Sequence, residues 1–203
     1  MAMRMSCDTS MAAVSVVDRI REIGIIPVVR ATSSEEALAA VEAIRAGGIA
    51  VIEITMTVPG AVKIINDLAL RLGETALVGA GTVLDCETVR QCVDAGARFI
   101  VSPSLDVPTI ETCQALEIPV FPGAMTPTEV VTAWKAGADA VKIFPANAVG
   151  GATYLKSLKA PLPQVELIPT GGVSLKNIGE FIQAGALAVG VGADLVDLAA
   201  IRR

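Results

Sequence analysis

The sequence predicts an α/β fold, a (β/α)8 (TIM) barrel forming a single domain over residues 1–203, and three observations predict it. The 53% hydrophobic content is almost wholly aliphatic, with only 3% aromatic residues, which suits short parallel strands covered by helices. An Ala-Gly pair recurs at Gly47, Gly96, Gly137 and Gly185, each time just before an apolar run, and glycine past a helix end supplies the left-handed cap. The spacings of 49, 41 and 48 residues are too long for one strand-helix unit and right for two. A doubly wound open sheet is the other arrangement of the same units.

Taken in order, residues 1–16 form an N-terminal extension. Its Ala/Val stretch is broken by Asp8, Thr9 and Ser10, too weak a pattern for a signal peptide. A short leading helix follows, with Asp18, Arg19, Arg21 and Glu22 on its solvated face. The eight strands are 25–30, 51–55, 76–82, 99–103, 118–123, 141–144, 165–172 and 187–191. Helices separate them, two opening with capping boxes at Ser33-Ser34-Glu35-Glu36 and Thr126-Pro127-Thr128-Glu129. Trp134 late in one helix reads as packing. Lys156 and Lys159 read as surface residues. Cys86, Cys92 and Cys113 read as small buried hydrophobes.

The bulk numbers exclude several functions. A net charge of −5 and a pI near 4.8, with no basic run, argue against nucleic acid. No apolar run reaches ~18 residues, so no membrane span is expected. Cysteines without a C-x-x-C or metal spacing suit a reducing cytoplasm. Histidine is absent, which removes Ser-His, Cys-His and His-metal chemistry.

Strand C-terminal ends carry the active site of this fold, and the unusual residues sit there. Lys142 interrupts the apolar run 140–145, and Glu53 is the lone charge of 51–55. On the second and sixth strands they can share an interior layer. Three alternatives remain open for them: an outward edge lysine, a neutralising ion pair, or a catalytic pair. Burial disfavours the charged form of an amine, and a neutral lysine attacks a ketone to give an iminium. The iminium takes up the electrons of the neighbouring C–C bond while a carboxylate shuttles protons, a chemistry that needs no metal and no organic cofactor. Thr170-Gly171-Gly172-Val173-Ser174 and Gly190-Val191-Gly192-Ala193, at adjacent strand ends, suggest a phosphate site.

The segments Ile52-Glu53-Ile54-Thr55, Val78-Gly79-Ala80-Gly81-Thr82-Val83, Ile100-Val101-Ser102-Pro103, Pro122-Gly123, Val141-Lys142-Ile143-Phe144-Pro145-Ala146 and Pro169-Thr170-Gly171-Gly172-Val173 together resemble the class I 2-keto-3-deoxy-6-phosphogluconate aldolase family. That family includes the 4-hydroxy-2-oxoglutarate aldolases. The resemblance implies Lys142 as the Schiff-base lysine and Glu53 as general acid/base. It implies Arg30, Thr82, Pro103, Phe144 and Thr170 around the substrate, and Gly171, Gly172, Gly192 and Ala193 around its phosphate. The implied reaction is reversible cleavage to pyruvate and glyceraldehyde 3-phosphate, a lyase step of the Entner-Doudoroff route, in a cytoplasmic homotrimer. The C4 epimer 2-keto-3-deoxy-6-phosphogalactonate or 4-hydroxy-2-oxoglutarate would be cleaved in the same way.

Three departures accompany the resemblance. Thr57 stands where some members carry an Arg for the pyruvate carboxylate. Ala193 stands where many carry Ser, removing a hydroxyl donor that typically contributes ~0.5–1.5 kcal/mol. Only eleven residues follow Gly192, so a short or truncated final helix is expected. A sugar-phosphate epimerase, or a barrel used as an oligomeric or engineered scaffold, remain alternative readings.

Overall fold

The computed structural model describes residues 15–192 and 194–196. In chain order they form α1 (Val16–Ile23), β1 (Ile25–Val29), α2 (Ser34–Ala46), β2 (Val51–Thr55), α3 (Ala61–Leu72), β3 (Leu77–Gly81), α4 (Cys86–Asp94), β4 (Ile100–Val101), α5 (Val107–Ala115), β5 (Val120–Phe121), β6 (Gly123–Ala124), α6 (Pro127–Lys135), β7 (Val141–Ile143), α7 (Gly151–Lys159), β8 (Leu167–Pro169), α8 (Ile178–Gln183) and β9 (Val189–Val191). Every strand ladder among the described residues is parallel. The expected final helix and most of the N-terminal extension lie outside the described residues. Val16, assigned to that extension, is the first residue of α1.

The strands form a six-stranded sheet, β5-β4-β3-β2-β1-β9, and a three-stranded sheet, β6-β7-β8. Backbone bonds connect the two at both seams. At one, Thr170 bridges Gly190 and the Leu187 N–H donates to the Leu167 carbonyl. At the other, the Asp139 and Lys142 N–H groups donate to the carbonyls of Val120 and Pro122. The eight expected strands therefore appear as nine segments, because the fifth is interrupted at Pro122. Proline has no N–H to give to a ladder.

The helices start where local chemistry dictates. Ser15 accepts from the Asp18 N–H to cap α1, and Gly24, at φ 73°, ends it. Thr126 and Glu129 form the reciprocal capping box expected for α6. The box expected for α2 is altered. Ser33 caps the Glu36 N–H, but the Glu36 carboxylate reaches back one residue further, to the N–H and hydroxyl of Thr32.

Residues alternating along the strands separate two cores. One, between helices and strands, collects Val29, Ile52, Ile54, Val78 and Ile143 with the buried faces of α2 to α7. The other holds Ile26, Val51, Leu77, Phe99, Phe121, Ala140 and Ile168, and Ile20 of α1 packs into it. Phe99 and Phe121 meet there with ring centroids 5.7 Å apart. Continuing two residues along the rows of this second core leads from Val51 to Glu53, from Leu77 to Gly79 and Gly81, from Ala140 to Lys142 and from Ile168 to Thr170. The unusual residues thus share the face of an aliphatic and aromatic floor, one step above it.

Candidate active site

Glu53 lies in the centre of β2, opposite Val28 on one side and Gly79 on the other. It is 2% exposed, and its Oε1 has no hydrogen-bond partner among the described residues. The carboxyl occupies the space above Gly81. A Cβ at that position would overlap Glu53 Oε1 and Cδ, so the strand end of β3 is hollowed to admit the side chain. A buried carboxyl without a partner is costly unless the site has a use for it.

Lys142 lies in β7 opposite Gly123 and Ile168 and is 3% exposed. The edge-strand alternative therefore fails: the lysine is interior. Among the described residues it makes no ion pair with Glu53 or any other carboxylate, so the mutual neutralisation left open by the sequence is also not what holds it. Its Nζ stands 5.2 Å from the centroid of the Phe144 ring.

Phe144 joins this amine to an open cleft of about 310 Å³. Arg30, Thr170, Gly171, Gly172 and Gly192 line the cleft with Phe144, bringing together six of the residues singled out above. Thr170 is 7% exposed, and its side chain fills the space that a Cβ on Gly190 would need. Gly172 has φ 73°, and a side chain there would run into Asn147. Only glycine meets both demands.

Thr82 and Pro103 stand at the same strand ends but do not line this cleft. Thr82 is held at φ 58°, a left-handed conformation that β-branched residues avoid. Such strain costs about 1–3 kcal/mol and concentrates at functional sites. Pro103 presents its carbonyl to the backbone at Gly123, where a Cβ would collide with it. Thr57 bonds its hydroxyl to that of Thr55 at 2.7 Å, and the Thr55 hydroxyl also reaches the Val29 carbonyl at 3.0 Å. Tyr154 is committed elsewhere, donating to the Met125 carbonyl at 2.7 Å. Burial raises its hydroxyl pKa, and so does the nearby Glu129 charge.

Residues 16–203 match the KDPG and KHG aldolase family. The chain belongs to that family. The 2-dehydro-3-deoxy-phosphogluconate aldolase of Haemophilus influenzae is 34% identical over 167 residues, 82% of this chain and 78% of that protein. The 2-dehydro-3-deoxy-6-phosphogalactonate aldolase of Escherichia coli is 37% identical over 175 residues, 86% of this chain and 85% of that one. Among solved structures, the KDPG aldolase from Legionella pneumophila, with pyruvate captured at low pH as a covalent carbinolamine intermediate, superposes with a TM-score of 0.84 at 35% identity. It covers 92% of this chain and 90% of its own.

This member of the KDPG and KHG aldolase family differs from the sequence expectation at several residues. Ala193 lies outside the described residues. Asp194, Val28 and Val173 also line the cleft. The signal that could have marked Asp194 is its place two residues beyond the last strand-end glycine. In the sequence Gly81 is one glycine of the segment Val78 to Val83, and its role beside Glu53 follows from side-chain volume. Cys92 and Cys113 are buried as expected, but Cys86 is half-exposed at the start of α4. Lys159 is only partly at the surface: its side chain is 19% exposed and lies 3.9 Å from the Glu166 carboxylate, and its amine bonds the carbonyls of Pro163 and Val165.

Proposed function

We propose that the protein is a class I, Schiff-base aldolase that reversibly cleaves 2-keto-3-deoxy-6-phosphogluconate to pyruvate and glyceraldehyde 3-phosphate, acting as one (β/α)8 barrel domain. The observation that carries this reading is Lys142: a buried amine that pairs with no carboxylate among the described residues, on an inward row beside an open cleft. The carbinolamine captured in the Legionella relative is the kind of adduct such an amine forms.

In this scheme the Lys142 amine adds to the C2 ketone, and loss of water gives the iminium. Glu53 takes the proton of the C4 hydroxyl. The C3–C4 bond breaks, its electron pair moves into the iminium to give an enamine, and the aldehyde departs. Protonation of the enamine at C3 by Glu53 and hydrolysis release pyruvate and the free lysine. Thr82, Pro103 and Phe144 wall the reacting carbons, and Thr170 and Arg30 lie toward the distal end. Gly171, Gly172, Gly192 and Ala193 offer backbone N–H groups to a phosphate.

A second reading, the same chemistry on the galactonate epimer, is favoured by the 37% identity to the E. coli enzyme of that specificity. Cleavage of 4-hydroxy-2-oxoglutarate would use the same residues. The assembly in this reading is a cytoplasmic homotrimer, whose contacts would cover exposed apolar side chains such as Leu84 and Leu175. Among the described residues, no helix is long and apolar enough to cross a membrane.

The test is incubation with pyruvate and sodium borohydride, followed by intact mass and peptide mapping. A reduced pyruvyl adduct on Lys142, lost in Lys142→Ala, is the expected result. Folded protein without an adduct refutes the mechanism. Initial rates on the two epimers then decide between the substrates.

A further inference from the structure

The glycine turn after β8 lines the cleft with Gly171, Gly172 and Val173, and its backbone groups divide by kind. Three successive carbonyls are occupied. Those of Thr170 and Gly171 accept from the Ala146 and Asn147 N–H groups at 2.8 and 3.2 Å. That of Gly172 accepts at 2.8 Å from a side chain, Asn177 Nδ2. Asn177 Oδ1 accepts in turn from the Ser174 N–H at 2.7 Å. The N–H groups of Gly172 and Val173, by contrast, donate to nothing among the described residues. One half-buried amide side chain thus clasps the turn on both sides of Val173. In a trans peptide the C=O and the following N–H point in opposite directions. A Gly172 carbonyl held on Asn177 therefore turns the Val173 N–H away from Asn177. Gly172, at φ 73°, has no side chain to resist rotation of this peptide plane. Rotation would replace a donor with a carbonyl, which only accepts and so repels an anion.

We propose that Asn177 is a positioning residue: its side chain locks the Gly172–Val173 peptide so that N–H groups, not a carbonyl, meet the terminal phosphate of the substrate. This inference rests on the aldolase reading above. It assigns Asn177 no contact with the reacting carbons and leaves the chemistry at Lys142 unchanged. Without the clasp the donors are still present but no longer held in place, and binding falls through lost preorganisation.

The experiment uses the wild type, Asn177→Ala and Asn177→Ser. It measures kcat and KM for 2-keto-3-deoxy-6-phosphogluconate, competitive inhibition by inorganic phosphate, and deuterium exchange into the methyl group of pyruvate. In the proposed scheme that exchange uses Lys142 and Glu53 and involves no phosphate. Asn177→Ala is expected to raise KM and the phosphate inhibition constant about tenfold, with kcat within about threefold and pyruvate exchange within about twofold of the wild type. The Asn177→Ser hydroxyl can still accept from the Ser174 N–H but is too short to reach the Gly172 carbonyl, so its rise should be smaller. The serine variant also carries the comparison should Asn177→Ala fail to fold. Cleavage and pyruvate exchange lost in proportion, at unchanged KM, would mark a merely structural residue and overturn the inference. Unchanged KM and unchanged phosphate inhibition overturn it too, as does a wild type that pyruvate and borohydride trap but on which phosphate does not compete. A wild type that is not trapped overturns the aldolase reading instead.

Discussion

Replacing Gly81 with alanine puts one methyl group where the Glu53 carboxyl now lies. The Glu53 Cγ would stand 2.7 Å from the new carbon, and Cδ and Oε1 would overlap it. Carbon atoms in ordinary contact are ~3.5–4 Å apart, so the carboxyl must withdraw by about 1 Å or more. Gly81 is not among the residues with positive φ, so its backbone accepts alanine and the effect falls on Glu53 itself. A displacement of about 1 Å costs on the order of 100-fold in rate, and overpacking of this kind costs about 1–3 kcal/mol. For a chain of this size that is a fall in Tm of about 2–12 °C. Pyruvate release measured with lactate dehydrogenase reads the rate, and thermal unfolding reads the stability. Glu53→Ala removes the clash partner, so Gly81→Ala added to Glu53→Ala should cost well under 1 kcal/mol, and the cycle should show strong coupling. If Gly81→Ala retained kcat within threefold, or cost the same stability with and without Glu53, the reasoning from side-chain volume would be wrong.

Other consequences are equally open to measurement. Lys142→Met keeps the length and removes a buried amine that has no ion-pair partner among the described residues, so it should abolish pyruvate trapping while raising stability by about 1–3 kcal/mol in thermal or urea unfolding. Thr82→Gly relieves the left-handed strain that Thr82→Ala retains, so the glycine variant should be the more stable of the two by about 1 kcal/mol. Burial pushes the Cys92 thiol up from 9.0 to about 11 and the Cys113 thiol to about 12. Both should therefore resist iodoacetamide at pH 8 in the native protein and react once it is unfolded. Because the folded state holds these protons longer, their contribution to stability is present below pH 9 and should be lost as pH rises through about 11 to 12, read as a falling Tm.

Lys142 and Glu53 are legible in the sequence because a lone charge inside an apolar strand has few bland explanations, and alternation along the strand then assigns it a face. The order of strands and helices is legible for a similar reason, since helix-ending glycines and apolar runs recur in step. Other features depend on what stands across the sheet. Gly81 looks like any strand-end glycine until the Glu53 side chain is built beside it. Thr82 is harder still, because the propensity of a β-branched residue points away from the conformation it adopts. Pro122 signals a break in hydrogen bonding, but only the ladder shows that the interruption splits one strand into two segments. Lys159 illustrates the opposite error. A lysine at the end of a helix ordinarily faces water, yet the carbonyls of Pro163 and Val165 draw its amine inward.

The apolar floor beneath Lys142 and Glu53 has a kinetic consequence. With Phe99, Phe121 and Ile168 packed there and Ile20 of α1 set against them, the described residues close the site on its α1 side. Whatever binds deepest must arrive first and leave last. In the proposed reaction the pyruvyl carbons sit on Lys142 and the aldehyde lies nearer the cleft. Cleavage should therefore discharge the aldehyde before pyruvate, and condensation should load pyruvate before the aldehyde. Directionality of this kind needs no moving lid. It follows from where the aliphatic and aromatic side chains close the floor.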